Sequence, residues 1–189
     1  MKKALILASL LALGAAAHAE TATYAIDPTH TYATFEILHF GTSTNRARFE
    51  KKEGTVQFDR AAKTGKVEIN FDMSGISSGS TAFDKHLSSK DFFDVATFPT
   101  AKFVGDKFSF SGDKVTTVAG ELTLKGKTAP VTLKANNFNC YQSPMLKREV
   151  CGGDFETVID RTQWGVDYGL AYGFSKDVKI IIQVEAVKQ

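Results

Sequence analysis

The side chains of this chain that could carry out acid–base or metal chemistry are few and scattered. Beyond residue 19 there are three histidines, His30, His39 and His86. The sequence contains no H-E-x-x-H motif, no G-x-S-x-G nucleophile elbow and no glycine-rich phosphate loop with its lysine. These residues therefore predict no catalytic residue, no catalytic cofactor and no metal site. A three-histidine metal site assembled across strands stays open as an alternative.

His86 is the histidine with the most functional promise, because it follows Asp84 in a segment with aromatic residues on both sides. A histidine beside a carboxylate can act as a general base. One alternative function is therefore a hydrolase or isomerase of lipophilic substrates that uses His86 and Asp84. The same histidine could instead orient the head group of a bound ligand, or only cap a turn.

The chain has two cysteines, Cys140 and Cys151, and their spacing predicts a disulfide. They do not form a C-x-x-C motif, and no histidine lies near them in sequence. In an oxidising compartment an even, closely spaced pair is typical of a structural disulfide.

The first residues predict that the chain is exported. Lys2 and Lys3 precede an apolar run from Ala4 to Ala16, and Ala17-His18-Ala19 has the pattern that a signal peptidase recognises. We therefore expect a signal peptide over residues 1–19, cut after Ala19, and one domain over residues 20–189. No later apolar stretch is long enough to predict a membrane anchor.

Charge argues against two classes of partner. Removing residues 1–19 takes away two lysines and no acidic residue, which leaves 21 basic and 21 acidic residues. A neutral protein has no electrostatic attraction to nucleic acid or to an anionic membrane surface. We predict no nucleic-acid partner.

Alternation of apolar and polar residues is the recurring pattern along the chain, and it predicts β-strands. About eight strands joined by short turns, each with one apolar face, favour a closed antiparallel barrel, since closure removes exposed strand edges. Gly112, Gly126 and the pair Gly152-Gly153 are predicted to mark turns. The apolar rows are Ala33-Phe35-Ile37, Val56-Phe58, Val67-Ile69-Phe71-Met73, Ala101-Phe103, Phe108-Phe110, Leu122-Leu124, Val131-Leu133-Ala135, Phe155-Thr157-Ile159 and Ile180-Ile182-Val184-Ala186.

The alternation stops between Gly79 and Pro99, which we call the lid segment. Thr81 to Asp84 and Ser88 to Asp91 each have the pattern of a helix start. The sequence therefore predicts two short helical turns that carry aromatic residues across one end of the barrel.

The pattern alone does not distinguish a hollow barrel, which would hold a slender apolar ligand, from a barrel filled by its own side chains. A filled barrel would leave a third function, a dimeric interaction module that acts through the loop from Trp164 to Tyr172. That loop, rich in glycine, is expected to pack on a partner subunit or on the barrel mouth.

Several motifs, taken in order, resemble those of the periplasmic YceI-like polyisoprenoid-binding proteins over essentially the whole chain after residue 19. The lid segment is the most specific of them. The region around the cysteines resembles a disulfide-bearing subgroup of that family. The matching segments are Ile26-Asp27 with His30, Phe35 to Gly41, Asp84 to Leu87 with Ser89, Asp91 to Asp94, Phe98-Pro99, Gly120 to Leu124 with Gly126, Pro130-Val131, Phe138 to Tyr141, Cys151 to Phe155, Asp160 to Thr162 and Val178 to Val187.

The resemblance implies a lipocalin-like, extended eight-stranded barrel in the periplasm that holds an isoprenoid quinone or a polyprenyl lipid and has no catalytic residues. It also implies that relatives in the disulfide-bearing subgroup include homodimers and proteins that bind lipophilic drugs. Together with the alternating strands, the matched positions predict a set of ligand-binding residues: Phe35, Ile37, His39, Phe40, Phe71, His86, Phe92, Phe93 and Phe103.

Overall fold

The computed structural model describes residues 21–189, so the predicted signal peptide and its cleavage point lie outside the described residues. No helix within residues 21–189 is long and apolar enough to cross a membrane. Helix α1, Thr81–Ser88, lies between the fourth and fifth strands, and two 3₁₀ turns, Arg161–Trp164 and Leu170–Tyr172, lie between the last two. The strands are β1 Ala22–Ile26, β2 Tyr32–His39, β3 Ser43–Asp59, β4 Thr64–Ser77, β5 Thr100–Ser111, β6 Lys114–Leu124, β7 Lys127–Gln142, β8 Glu149–Asp160 and β9 Asp177–Lys188.

These strands close an eight-stranded antiparallel barrel, which confirms the predicted fold. β2 to β9 pair in sequence order, and β9 pairs back onto β2. β1 continues the line of β2, because both pair with β3 and β9. The interruption includes Pro28, which has no N–H for the ladder. The Thr31 hydroxyl bonds to both the carbonyl and the N–H of Glu185, so a side chain replaces part of the ladder there.

The predicted apolar rows face the barrel interior. On β4, Val67, Ile69 and Met73 are buried, whereas Glu68 lies on the outer face and pairs with Lys102 of β5 at 2.6 Å. β-Bulges after Phe49, Gly105 and Ala135 shift the register within three of the longer strands. Bulges bend the strands that carry them, which long strands need in order to curve around a closed barrel.

The predicted turn at Gly152-Gly153 is wrong, because both glycines lie inside β8. A Cβ at Gly152 would overlap the carbonyl oxygen of Val184, and a Cβ at Gly153 would overlap that of Asn137. The glycines are needed where backbones approach closely, not where the chain reverses. The reversal between β7 and β8 is the segment 143–148.

The lid segment contains one helix instead of the two helical turns predicted. Asp84 accepts hydrogen bonds from the Ser78 N–H and hydroxyl, both at 2.6 Å, and so ties the segment that precedes α1 to the helix. The hydroxyls of Ser88 and Ser89 bond back to the carbonyls of Asp84 and His86. These side-chain hydrogen bonds compete with the backbone bonds that would continue the helix, and residues 89–93 form turns instead.

The two ends of the barrel differ. At one end, the Phe58 ring lies 6.4 Å from Phe108, 6.0 Å from Phe110 and 5.7 Å from Phe138, measured between ring centroids. This aromatic cluster plugs what we call the closed end. At the other end, the mouth, the β2–β3 turn, the lid segment, the β6–β7 turn and the loop 161–176 come together.

Candidate functional site: an apolar cavity with one open end

An apolar cavity of about 750 Å³ occupies the barrel interior. This volume lies within the usual range of small-molecule sites, about 300–1,000 Å³. Wall residues at the closed end, such as Tyr24 and Phe58, are buried, whereas Phe40 and Tyr172 at the mouth are 56% and 69% exposed. The cavity therefore reaches solvent at the mouth. Because the interior is hollow, the filled-barrel interpretation is wrong.

All nine residues predicted to bind ligand lie on the wall of this cavity. Phe35, Ile37 and His39 alternate along β2, and Phe40 follows in the turn. The rings of Phe35 and Phe93 lie 6.2 Å apart, so the lid segment and the barrel wall meet inside the cavity. That these nine side chains contact a ligand stays a prediction. The remaining five are Phe71 on β4, His86 on α1, Phe92 and Phe93 after it, and Phe103 on β5.

Two aromatic triads surround the mouth, and each contains one histidine. His39 packs against Phe40 and Phe174, with ring centroids 4.9 and 5.0 Å away. His86 packs in the same way against Phe92 and Tyr168, at 4.9 and 5.1 Å. The mouth thus combines flat apolar surface with ring nitrogens that can bond to a polar group of a ligand.

The geometry does not provide the acid–base pair on which the enzyme alternative relied. Asp84 is engaged with Ser78, and the carboxylate near His86 is Asp91, with Nε2 and Oδ2 3.3 Å apart. His30 bonds to Asp27 at 2.8 Å outside the cavity. Within residues 21–189 no three histidine, cysteine or acidic side chains are placed to hold a metal ion, so the three-histidine alternative has no site there.

Arg161 is a buried cation on the cavity wall that the sequence did not identify as a site residue. It is 5% exposed and forms no salt bridge with a described carboxylate. Its Nε donates to the carbonyl of Ser175, and its Nη1 donates to those of Val166 and Tyr168. Burial lowers the pKa of its guanidinium, and the carboxylates of Asp167 and Asp160 act against that shift. The guanidinium carries five N–H donors, and no described residue accepts a hydrogen bond from the two on Nη2.

The loop 161–176 is held firmly over the mouth. Trp164 is 1% exposed and donates from its indole nitrogen to the Leu122 carbonyl at 2.9 Å. Asp160 precedes the loop and accepts from Lys176 at 2.7 Å and from the N–H and hydroxyl of Thr162. These contacts, led by the hydrogen bond from Lys176, lower the pKa of Asp160 to about 2. The loop packs on the mouth, one of the two positions expected for it.

The pair Cys140 and Cys151 forms the predicted disulfide across the β7–β8 hairpin. Residues that the sequence missed include Arg161, Tyr168 and Phe174. The sequence does carry one signal for this region, since Asp160-x-Thr162 after an apolar strand is typical of a capped turn. That signal predicts a turn, but not which side chains point into a cavity.

Comparison with known proteins places the chain in a family. The model of the YceI-like domain matches residues 24–186. A UPF0312 protein of Shewanella denitrificans is 36% identical over the full length of both chains. A UPF0312 protein of Pseudomonas savastanoi is 38% identical, covering 71% of this chain and 72% of the relative.

Solved structures show the same fold. BcnA of Burkholderia cenocepacia matches with a TM-score of 0.69 and 23% identity over 85% of this chain and 98% of its own. The YceI protein of Campylobacter jejuni matches with a TM-score of 0.70 and 21% identity over 81% and 90%. A polyisoprenoid binding domain from Saccharophagus degradans, implicated in plant cell wall breakdown, matches with a TM-score of 0.66 and 14% identity over 90% and 100%. The chain belongs to the YceI-like domain family.

Proposed function

We propose that the protein is a periplasmic carrier of an isoprenoid lipid, a quinone or a polyprenyl lipid, whose tail lies in the barrel cavity. The observation that supports this most directly is the cavity itself, hollow, apolar along its length and open at one end. The name of the Saccharophagus degradans domain describes that protein as polyisoprenoid-binding, which fits the same kind of ligand.

The free energy of such binding would come mainly from the tail. Burial of about 500 Å² of apolar tail, at roughly 25 cal/mol per Å², gives on the order of 12 kcal/mol before the costs of association. Tight binding therefore requires few polar contacts. The polar groups on the wall lie mainly near the mouth, with His39, His86 and Arg161 among them. We infer that the head group of the lipid lies there and the tail end lies toward Phe58.

Mass spectrometry of the intact protein under native conditions tests the proposal. Protein purified from a Gram-negative host without detergent should carry a prenyl lipid that can be extracted and identified. Protein stripped of lipid should bind added ubiquinone-8 or undecaprenyl phosphate. Preparations that reproducibly contain no lipid and bind neither compound would refute the carrier function.

Trp164 provides an optical assay for the same question. It is the chain's single tryptophan and lies on the cavity wall. A quinone in the cavity should quench its fluorescence, and undecaprenyl phosphate should displace the quinone and restore the signal. Lipophilic antibiotics that occupy the cavity should also displace the quinone and restore the Trp164 fluorescence. Analytical ultracentrifugation of loaded and empty protein would test whether the protein forms a homodimer, as relatives in the disulfide-bearing subgroup do.

The periplasmic location is part of the proposal and has its own test. The mass of the protein from an osmotic-shock fraction should correspond to a chain that begins at Glu20. Recovery only from the cytoplasm, with residues 1–19 retained, would contradict export.

A further inference from the structure

Four side chains at the mouth stand out because they are large, apolar or aromatic, and exposed. They are Leu38 at 49%, Phe40 at 56%, Tyr168 at 41% and Tyr172 at 69%. We call these four residues the mouth rim. Single exposed apolar residues are ordinary, but a group of them around a cavity opening is typical of a contact surface.

The turn from β2 to β3 gives Phe40 an uncommon backbone conformation for an exposed aromatic residue. Phe40 and Gly41 have φ values of 48° and 71°, so both occupy the left-handed region in the turn from β2 to β3. Asparagine or glycine is the usual choice for the first of two such positions. A phenylalanine there is unfavourable, because its Cβ lies close to the following carbonyl oxygen. Lys125 and Gly126 adopt the same pair of conformations in the β6–β7 turn, so the conformation belongs to the turn type; at Phe40 it presents an aromatic ring to solvent at the cavity entrance.

We propose that the mouth rim docks on the surface of a zwitterionic phospholipid bilayer, so that a lipid passes between bilayer and cavity without crossing water. The second half of this inference rests on the proposed carrier function. An isoprenoid tail released into water would lose the burial energy that holds it in the cavity. Phe40, Tyr168 and Tyr172 belong both to the rim and to the cavity wall, so a docked rim would join the bilayer interior to the cavity. Tyrosine is enriched where proteins meet the membrane–water interface.

The balance of acidic and basic residues differs between the mouth and the closed end, and this balance predicts which kind of bilayer the mouth would contact. The mouth segments 39–43, 78–99, 125–127 and 160–177 carry six acidic and six basic residues. The closed-end segments 59–64, 111–114, 142–149 and 188–189 carry six basic side chains and three acidic ones. A neutral, apolar rim has no preference for anionic lipid, whereas the closed end would prefer it. Docking by the rim should therefore be insensitive to salt.

The chain offers a matched pair of substitutions for the test. Leu38 is on the rim but not on the cavity wall, so Leu38→Asp should leave equilibrium binding of ubiquinone-8 unchanged. Met145 is 89% exposed in the β7–β8 loop at the closed end, so Met145→Asp makes a comparable change at the opposite end. Both sites are on the surface, and Leu38→Ser provides a second rim variant without charge.

The experiment measures transfer of ubiquinone-8 from phosphatidylcholine vesicles by quenching of Trp164. The wild-type rate should rise in proportion to vesicle concentration, and Leu38→Asp should slow it on the order of tenfold or more. Leu38→Ser should slow it less, and Met145→Asp should match wild type. A rate independent of vesicle concentration, or one slowed by Met145→Asp and not by Leu38→Asp, would overturn the proposal.

Co-sedimentation of lipid-free protein with the same vesicles separates this inference from the proposed function. Sedimentation that depends on Leu38 and persists in high salt would support docking even if no isoprenoid were bound. Normal quinone binding without sedimentation and without a Leu38 effect on transfer would refute docking and leave the carrier function standing.

Discussion

Replacing Thr157 by aspartate is expected to prevent lipid retention at neutral pH and to leave it nearly intact at pH 4. Thr157 lies on the cavity wall between Phe155 and Ile159 and pairs with Ile180 of β9. Threonine and aspartate are similar in size, so the barrel should fold. An empty cavity can admit water around the carboxylate, but a bound isoprenoid tail would expel that water and force the group to become neutral.

The magnitude follows from the cost of protonation. Holding an aspartic acid of ordinary pKa, about 3.9, neutral at pH 7 costs about 4 kcal/mol, which is roughly a thousandfold in affinity. At pH 4 the same cost is only about 0.5 kcal/mol. Lipid binding would raise the pKa of this carboxyl, so affinity must increase as pH falls. Titration of ubiquinone-8 against Trp164 fluorescence at pH 4 and pH 7 measures both values.

Two controls decide whether the reasoning is correct. Thr157→Asn is polar but cannot ionise, so its affinity should not depend on pH in this way. Val158→Asp places the same carboxylate on the next residue of β8, which is 64% exposed, and should bind lipid like wild type. Equal affinity of Thr157→Asp at both pH values, or an equal loss in Val158→Asp, would mean that the tail does not lie against this part of the wall.

Three further predictions concern stability. Reducing the disulfide between Cys140 and Cys151 should lower the free energy of unfolding by about 3 kcal/mol, since it closes a loop of about ten residues; urea unfolding with and without reductant checks this. Trp164→Phe should cost about 1–3 kcal/mol, because the Leu122 carbonyl loses its donor, and thermal melts followed by circular dichroism would show no shift if water replaced it fully. The pKa of Asp160 is lowered from 3.8 to about 2, so its ionised carboxylate contributes to the free energy of unfolding above pH 4, and this contribution is lost as pH falls toward 2. The difference in unfolding free energy between wild type and Asp160→Asn should therefore become smaller between pH 4 and pH 2. A difference that stays constant over this range would contradict the prediction.

The barrel could be predicted from sequence because alternation fixes which face of each strand is apolar. Met73, Phe103 and Leu133 all follow the rule and all point inward. The exceptions are places where backbone contacts decide. The pair Gly152-Gly153 predicts a turn, but both glycines lie inside β8, where the neighbouring carbonyls leave no room for a Cβ. Local composition does not report how closely another strand approaches.

The site was only partly predictable, because a cavity is a property of all strands together. Alternation predicts that Phe35 and Phe71 point inward, but it makes the same prediction for a barrel whose interior is filled by side chains. The loop 161–176 was less predictable still. The side chain of Arg161 points at three carbonyls of its own loop. Only the folded loop shows that this cation is buried with no carboxylate partner among residues 21–189.

A hollow barrel cannot rely on close packing at its centre to define its structure, as most domains do. Here a single structure must be maintained by the hydrogen bonds between strands around the closed barrel and by fixed contacts at its two ends. Gly152, the Phe58 cluster and the bonds of Arg161 and Trp164 supply such contacts. Other wall residues, such as Thr157, are then free to set the width and polarity of the cavity. It follows that ligand preference can change within this fold by substitution on the wall, while the residues that close the two ends are constrained by folding.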